Sequence, residues 1–337
     1  MKKLLLLLSL VLFGCSLPIQ LNSGTATPTP TLEPLPTPAP TQTPLAPPEL
    51  GTTKNPLILS LAPSAHPGAE LIASGSVIAA FIEKQTGYKV VTNIPVTQSN
   101  LVDALGKGNA HIASLSPFAY LLARESDSVT AVLGSVREGQ MFYGAQLIAN
   151  RESHFVSYYD ASLNENTVTP AEALIQFKNK KPCWSDATSP SGYVLPLGLL
   201  NQAAVQVSSA AFLEGHPSVV RAVYAEGICD FGATFIDARQ SATLEARYPD
   251  VMERVVVIWR VPNVIPYENI SVSTLVPLEM RRAIQRAFID MMLTPDGKSA
   301  VQTAFGMDEL KSTDDAMYAG FALYVKDSGL NLADLIK

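Results

Sequence analysis

From Lys54 to Lys337 the chain alternates short apolar runs with amphipathic stretches, and that alternation restricts it to one architectural class. Pro56-Leu-Ile-Leu-Ser-Leu-Ala-Pro63 is a buried strand by its length and flanking prolines. Gly75 to Gly87 carries Val77, Ile78, Phe81 and Ile82 at helical spacing, and Tyr88 to Ile94 is again a strand, which makes a β-α-β start. The series continues with a helix at Asn100 to Leu105, a strand at Ala110 to Leu115, a helix at Pro117 to Arg124 and a strand at Ala145 to Asn150. A second series follows: strand Lys181 to Ser185, helix Pro190 to Leu200, helix Pro217 to Ala225, strand Ile228 to Phe235 and strand Val255 to Trp259. Such alternation implies mainly parallel sheets with helices on both faces. The region from Pro277 is mostly helical: Leu278 to Leu293 places Met280, Ile284, Ala287, Phe288 and Met291 on one face before Pro295 and Gly297 break it. A body of about 284 residues exceeds one comfortable core, so two α/β lobes are expected.

Ahead of this body stand two segments that cannot build a core. Lys2 and Lys3 precede an apolar run from Leu4 to Phe13, about half the roughly 20 residues a bilayer-spanning helix needs. The layout is that of a secretory signal over residues 1–14. Leu12-Phe13-Gly14-Cys15 resembles a bacterial lipobox, which implies that the Cys15 thiol receives a diacylglycerol group and becomes the new amino terminus. The alternative is an ordinary signal peptide with an incidental cysteine. Residues 15–54 then form a tether in which prolines 28, 30, 34, 36, 38, 40, 44, 47 and 48 alternate with threonines and small residues. Proline removes donors and fixes φ, so an extended polyproline-like spacer is expected, holding the body off a membrane.

Charge and motif content narrow the function. Lys and Arg number 24 against 30 Asp and Glu, a net charge of −6, and no basic run occurs, which excludes a nucleic-acid footprint. His66, His111, His154 and His216 lie far apart without metal-ligand spacing, so no metal is expected. No Gly-x-Ser-x-Gly elbow, phosphate-binding Gly-x-x-x-x-Gly-Lys loop or Gly-x-Gly-x-x-Gly fingerprint is present, and neither an enzyme nor a cofactor is expected.

Three segments carry the positive signal. In Ser185-Asp-Ala-Thr-Ser-Pro-Ser-Gly-Tyr-Val-Leu-Pro196 a strand ends, hydroxyls gather at Thr188, Ser189 and Ser191, Pro190 suits the first helical position and Gly192 admits close backbone approach. Free N–H groups and serine hydroxyls at a helix start make an uncharged cradle for a tetrahedral oxyanion; they also make an ordinary capped helix. In Glu214-Gly-His-Pro-Ser-Val-Val-Arg-Ala-Val-Tyr-Ala-Glu-Gly-Ile-Cys-Asp-Phe-Gly-Ala233, His216 stands immediately before a helix opened by Pro217. The third segment is Val257-Ile-Trp-Arg-Val-Pro-Asn-Val-Ile-Pro-Tyr-Glu268.

Together these resemble the phosphate, phosphite and phosphonate substrate-binding proteins of ABC importers, the PhnD-like family, over roughly Asn55 to Met307. The resemblance implies a two-lobed type II periplasmic-binding-protein fold with two hinge crossings. Lobe 1 is expected from 55–148 plus 266–337 and lobe 2 from 149–265, with crossings near Ala149 and Ile265. It implies that Ser189 and Ser191 donate hydroxyl and backbone hydrogen bonds to the phosphoryl oxygens and His216 a ring N–H, with Gly192, Tyr193 and Gln98 also among the ligand-binding residues and Glu268 on the other side of the ligand. Glu268 would accept a proton from a monoprotonated ligand or pair with a ligand ammonium. Position 190, often a hydroxyl residue in relatives, is proline here, and the first-lobe aromatics of relatives fall near Gln98 and Leu115.

Cys183 and Cys229 lie on strands leading into two of these segments; an exported context permits a disulfide, though buried strand cysteines also serve as small apolar fillers. The expectation is a monomeric, lipid-anchored extracytoplasmic receptor that hands a small phosphorus oxyanion to an ABC permease. The alternatives are a sensor module for a membrane signalling partner and a hydrolase with Ser189 or Ser191 as nucleophile and His216 as base.

Overall fold

The computed structural model describes residues 49–64 and 66–336; the expected signal segment, Cys15 and the expected tether up to residue 48 lie outside the described residues. The body begins slightly before the expected Lys54, because Leu50 packs on the apolar core and Lys89 donates to the Gly51 carbonyl.

The chain first lays down β1 (Leu57–Ser60), α1 (Ala69–Thr86), β2 (Val90–Asn93), α2 (Gln98–Gly106), β3 (Ile112–Leu115), α3 (Pro117–Glu125) and β4 (Val129–Val136). Helix α1 starts before the expected Gly75. That glycine sits inside it, where a Cβ would stand 2.5 Å from a Leu61 methyl, so its role is close helix-to-strand approach. The second run is β5 (Phe142–Asn150), β6 (Tyr159–Asp160), β7 (Glu165–Asn166), α4 (Pro170–Leu174), β8 (Pro182–Trp184), α5 (Leu195–Gln202), β9 (Ala211–Phe212), α6 (His216–Ala225), β10 (Phe231–Phe235), α7 (Ala242–Arg247), α8 (Val251–Arg254) and β11 (Val255–Pro266). The last is β12 (Asn269–Ser273), α9 (Leu278–Met291), α10 (Pro295–Phe305), β13 (Glu309–Ser312) and α11 (Ala319–Ser328).

Two sheets result, ordered β13-β4-β12-β3-β1-β2 and β11-β5-β10-β8-β9. Both are mixed. β1 pairs in parallel with β2 and β3, and β8 with β9 and β10, as βαβ crossovers require. β12 runs antiparallel to β3 and β4, and β5 antiparallel to β10 and β11. The chain passes to the second sheet at 137–141 and returns at 267–268. The first passage precedes the expected Ala149, since β5 pairs with β11 from Phe142 to Asn150 and belongs wholly to the second sheet.

Helix α9 buries the five residues expected on its inner face, Met280, Ile284, Ala287, Phe288 and Met291, in a core with α1, α10 and the first sheet. A second core lies under α6 to α8, and a third joins Phe118 and Phe321 to Leu147, Trp184, Phe231 and Trp259 of the second sheet's inner face. Helix α11, expected in lobe 1, packs instead on α5: the Asn201 amide donates to the carbonyls of Asp327 and Ser328 at 2.9 and 3.3 Å. The 3₁₀ turn Leu332–Ile336 then packs on α3 of the first sheet's side. Cys183 of β8 and Cys229, which lies before β10 rather than on it, form a disulfide with Cα atoms 5.6 Å apart.

Candidate functional site

Both chain passages meet the carboxyl ends of β3, β8 and β10 around one cavity of about 600 Å³. Open α/β sheets favour ligands at this location, because strand ends and helix starts leave backbone groups facing a crevice.

Three helix starts border it, two of them capped by a serine. Ser116 precedes Pro117 and its hydroxyl oxygen accepts the Ala119 N–H at 3.4 Å. Ser189 precedes Pro190 and its oxygen accepts the Gly192 N–H at 3.0 Å. His216 is the first residue of α6, followed by Pro217. Proline at the first or second helical position loses no intrahelical bond, and the unpaired N–H groups of a first turn leave partial positive charge at each start. The middle start is a π-helical turn, Pro190–Val194, in which the Val194 N–H reaches the Ser189 carbonyl at 3.0 Å; the sequence suggested an ordinary helix there.

Of the expected residues, Ser191, His216 and Glu268 line the cavity together. Ser189 is buried and committed to capping, and Gly192 lies behind Ser191, where a Cβ would stand 2.0 Å from Ser185 Oγ. Tyr193 does not line the cavity; two residues from Ser191 on a helical turn, it faces away and packs on Trp184 and Phe212 at ring distances of 5.8 and 5.0 Å. Gln98, the first residue of α2, is not among the lining residues, and Leu115 is fully buried in the core. From the first sheet's side the aromatic presented is Phe118.

Several lining residues had no sequence signal of their own. Arg137 sits in a turn closed by Gln140 and bonds Glu268 across the two passages, Nη2 to Oε2, at 2.7 Å. Its guanidinium lies 4.7 Å from the Tyr267 ring centre, and Tyr267 stacks on Tyr143 at 5.0 Å. Burial pushes the Tyr143 phenol up to about 12 against the opposing effect of a hydrogen bond with Ser191, so it stays neutral. Burial likewise lowers the His216 pKa below the ordinary imidazole value, outweighing the Asp186 carboxylate, which raises it. The wall is thus built of neutral donors, with permanent charge confined to Arg137, Glu138 and Glu268 among the described lining residues.

Ser189 caps its own turn, and His216 Nδ1 accepts from the backbone of Phe235. Among the described residues no group of three or more His, Cys, Asp and Glu is placed to hold a metal ion, and no helix is long and apolar enough to cross a membrane.

The family described as ABC transporter, phosphonate, periplasmic substrate-binding protein matches residues 63–318. The chain is 29% identical over 181 residues to the phosphate-import protein PhnD of Mycolicibacterium smegmatis, a match over 51% of this chain and 52% of that protein, so it spans about half the length of that relative. The fold is similar to that of XAC2383 from Xanthomonas citri bound to ATP, with TM-score 0.58 and 15% identity over 83% of this chain and 99% of that one. PhnD1 from Prochlorococcus marinus in complex with methylphosphonate overlaps 82% of this chain and 99% of its own, with TM-score 0.48 and 14% identity. With a family match across most of the body, the chain belongs to the phosphonate substrate-binding proteins of ABC transporters.

Proposed function

We propose that this protein is an extracytoplasmic, lipid-anchored receptor that binds a phosphorus oxyanion, phosphate, phosphite or a phosphonate, in the cavity between its sheets and delivers it to an ABC importer without catalysis. The observation that carries this reading is the convergence of three helix starts, with Ser191 and His216, on one cavity. Unpaired N–H groups and neutral hydroxyl and imidazole donors hold a tetrahedral anion without a matching cation, since at low dielectric oriented dipoles outweigh a screened net charge of −6. The phosphate-import relative points to the same class of ligand. Ser191 and His216 are the direct donors, Ser189 and Gly192 shape the turn behind them, and Cys15 carries the anchor.

Titration calorimetry on the purified mature chain with phosphate, phosphite, methylphosphonate and 2-aminoethylphosphonate tests it. Saturable one-to-one binding of at least one of the four is expected; heat of dilution alone for all four overturns the reading.

A further inference from the structure

Glu268 has a partner already. On the reading that the cavity takes a phosphorus oxyanion, a carboxylate beside the ligand has two uses: to accept a proton from it, or to pair with a cationic group on its tail. The second use requires a free carboxylate. Here the Glu268 carboxylate is bonded to Arg137 at 2.7 Å. Arg137 is itself held in three ways: by this ion pair, by the face of Tyr267 at 4.7 Å, and by the backbone bridge between residues 137 and 140 that closes its turn. Tyr267 in turn is backed by Tyr143, and both rings line the cavity that Ser191 also lines.

We infer that Arg137 is a specificity-determining residue that masks Glu268 and so makes the site discriminate against aminoalkylphosphonates in favour of phosphorus oxyanions without an ammonium. A ligand ammonium approaching Glu268 must displace a guanidinium that then keeps only its ring contact. An uncharged tail displaces nothing and meets the Tyr267 and Phe118 rings of the same wall. Glu138, the remaining lining carboxylate, is exposed on the turn and solvated, so it offers an ammonium little. The side chains of Arg137 and Glu268 are 48% and 35% exposed, so the pair is partly screened and the discrimination weakens as salt is raised.

Ethylphosphonate and 2-aminoethylphosphonate, which differ only by the amine, are the probes. Calorimetric affinities for the full mature chain are expected to favour ethylphosphonate by about five- to ten-fold, the scale of a partly screened charge pair. Arg137→Gln, which frees Glu268, is expected to erase or reverse that ratio, while Arg137→Lys keeps its direction. Glu268→Gln is expected to preserve the preference for ethylphosphonate and to strengthen binding of both oxyanions. A native melting curve for Arg137→Gln, expected from its exposed position, assures that the ratio is read on folded protein. An unchanged ratio in Arg137→Gln, or tighter binding of the amine by the unmodified protein, overturns the assignment while leaving oxyanion capture intact. Failure of the unmodified protein to bind either probe or phosphate overturns the underlying reading, and the assignment with it.

Discussion

The backbone N–H of Phe235 donates to Nδ1 of His216 at 3.4 Å, and the two rings meet edge to face at 4.8 Å. An imidazole nitrogen that accepts is unprotonated, so the ring proton of neutral His216 resides on Nε2. The residue therefore reaches the cavity as an uncharged donor whose tautomer is set by the end of β10.

If Ser191 and His216 hold the oxyanion, Ser191→Ala and His216→Ala each remove a donor to a charged group. Each should weaken phosphate or phosphonate binding by about 1.5 to 3 kcal/mol, roughly 10- to 150-fold. Ser189→Ala removes the cap on Gly192 and should instead cost about 1 kcal/mol of stability. Calorimetry and denaturant melts on the three variants separate the two roles; unchanged affinity in both Ser191→Ala and His216→Ala would remove these residues from the site.

Gly192→Ala has no room, because the new methyl would stand 2.0 Å from Ser185 Oγ and 2.8 Å from Ser185 Cβ. Destabilisation of about 1 to 3 kcal/mol is expected from overpacking. Ser185→Gly combined with it should recover part of the loss, measured by chemical denaturation; a freely tolerated alanine would contradict the packing described.

The disulfide between Cys183 and Cys229 closes a sequence separation of 46 residues. Chain-entropy reasoning assigns such a loop up to about 4 kcal/mol. Replacing both cysteines by alanine should lower the melting temperature by several degrees, and a reductant should do the same to the unmodified protein but not to the double variant.

His111 is buried, and its Nδ1 accepts the Ile58 N–H at 3.0 Å, with burial lowering its pKa. The unfolded chain therefore takes the proton first as pH drops below about 6.5. Stability attributable to the neutral ring is complete above that pH and is lost as pH falls from there toward the lower folded value. His111→Asn offers an acceptor oxygen that does not titrate, so its melting temperature should fall less between pH 7 and pH 5; an identical decline in both proteins would place the acid sensitivity elsewhere.

Cys15→Ser should move the protein from the membrane fraction to the soluble fraction with an unchanged melting temperature, read by salt-washed fractionation and scanning calorimetry. Retention in the washed membrane would set aside the lipid anchor.

What the sequence made legible was local. Ser-Pro pairs at 116–117 and 189–190 and the His-Pro pair at 216–217 mark helix starts by chemistry confined to a few residues, and all three border the cavity. Strand β12 escaped because Asn269-Ile-Ser-Val-Ser273 reads as polar. It is buried throughout, with Ser271 Oγ donating to Asn269 Oδ1 at 2.7 Å inside the sheet, so polar residues here pair within the core. Arg137 and Glu268 stand 131 residues apart and meet only because the two passages run side by side, a juxtaposition no local pattern encodes.

Strand β12 sits between β3 and β4, neighbours in sequence that do not pair in the finished sheet. A chain emerging from its N-terminus reaches β3 and β4 long before residues 269–273 exist to separate them, and any early β3 to β4 ladder must open again to admit the latecomer. The second sheet repeats the arrangement over a shorter span, with β10 entering between β5 and β8. Each sheet is therefore complete only when a later strand arrives between two earlier ones, and the first spans the longer interval, since residues 269–273 follow β4 by more than a hundred residues.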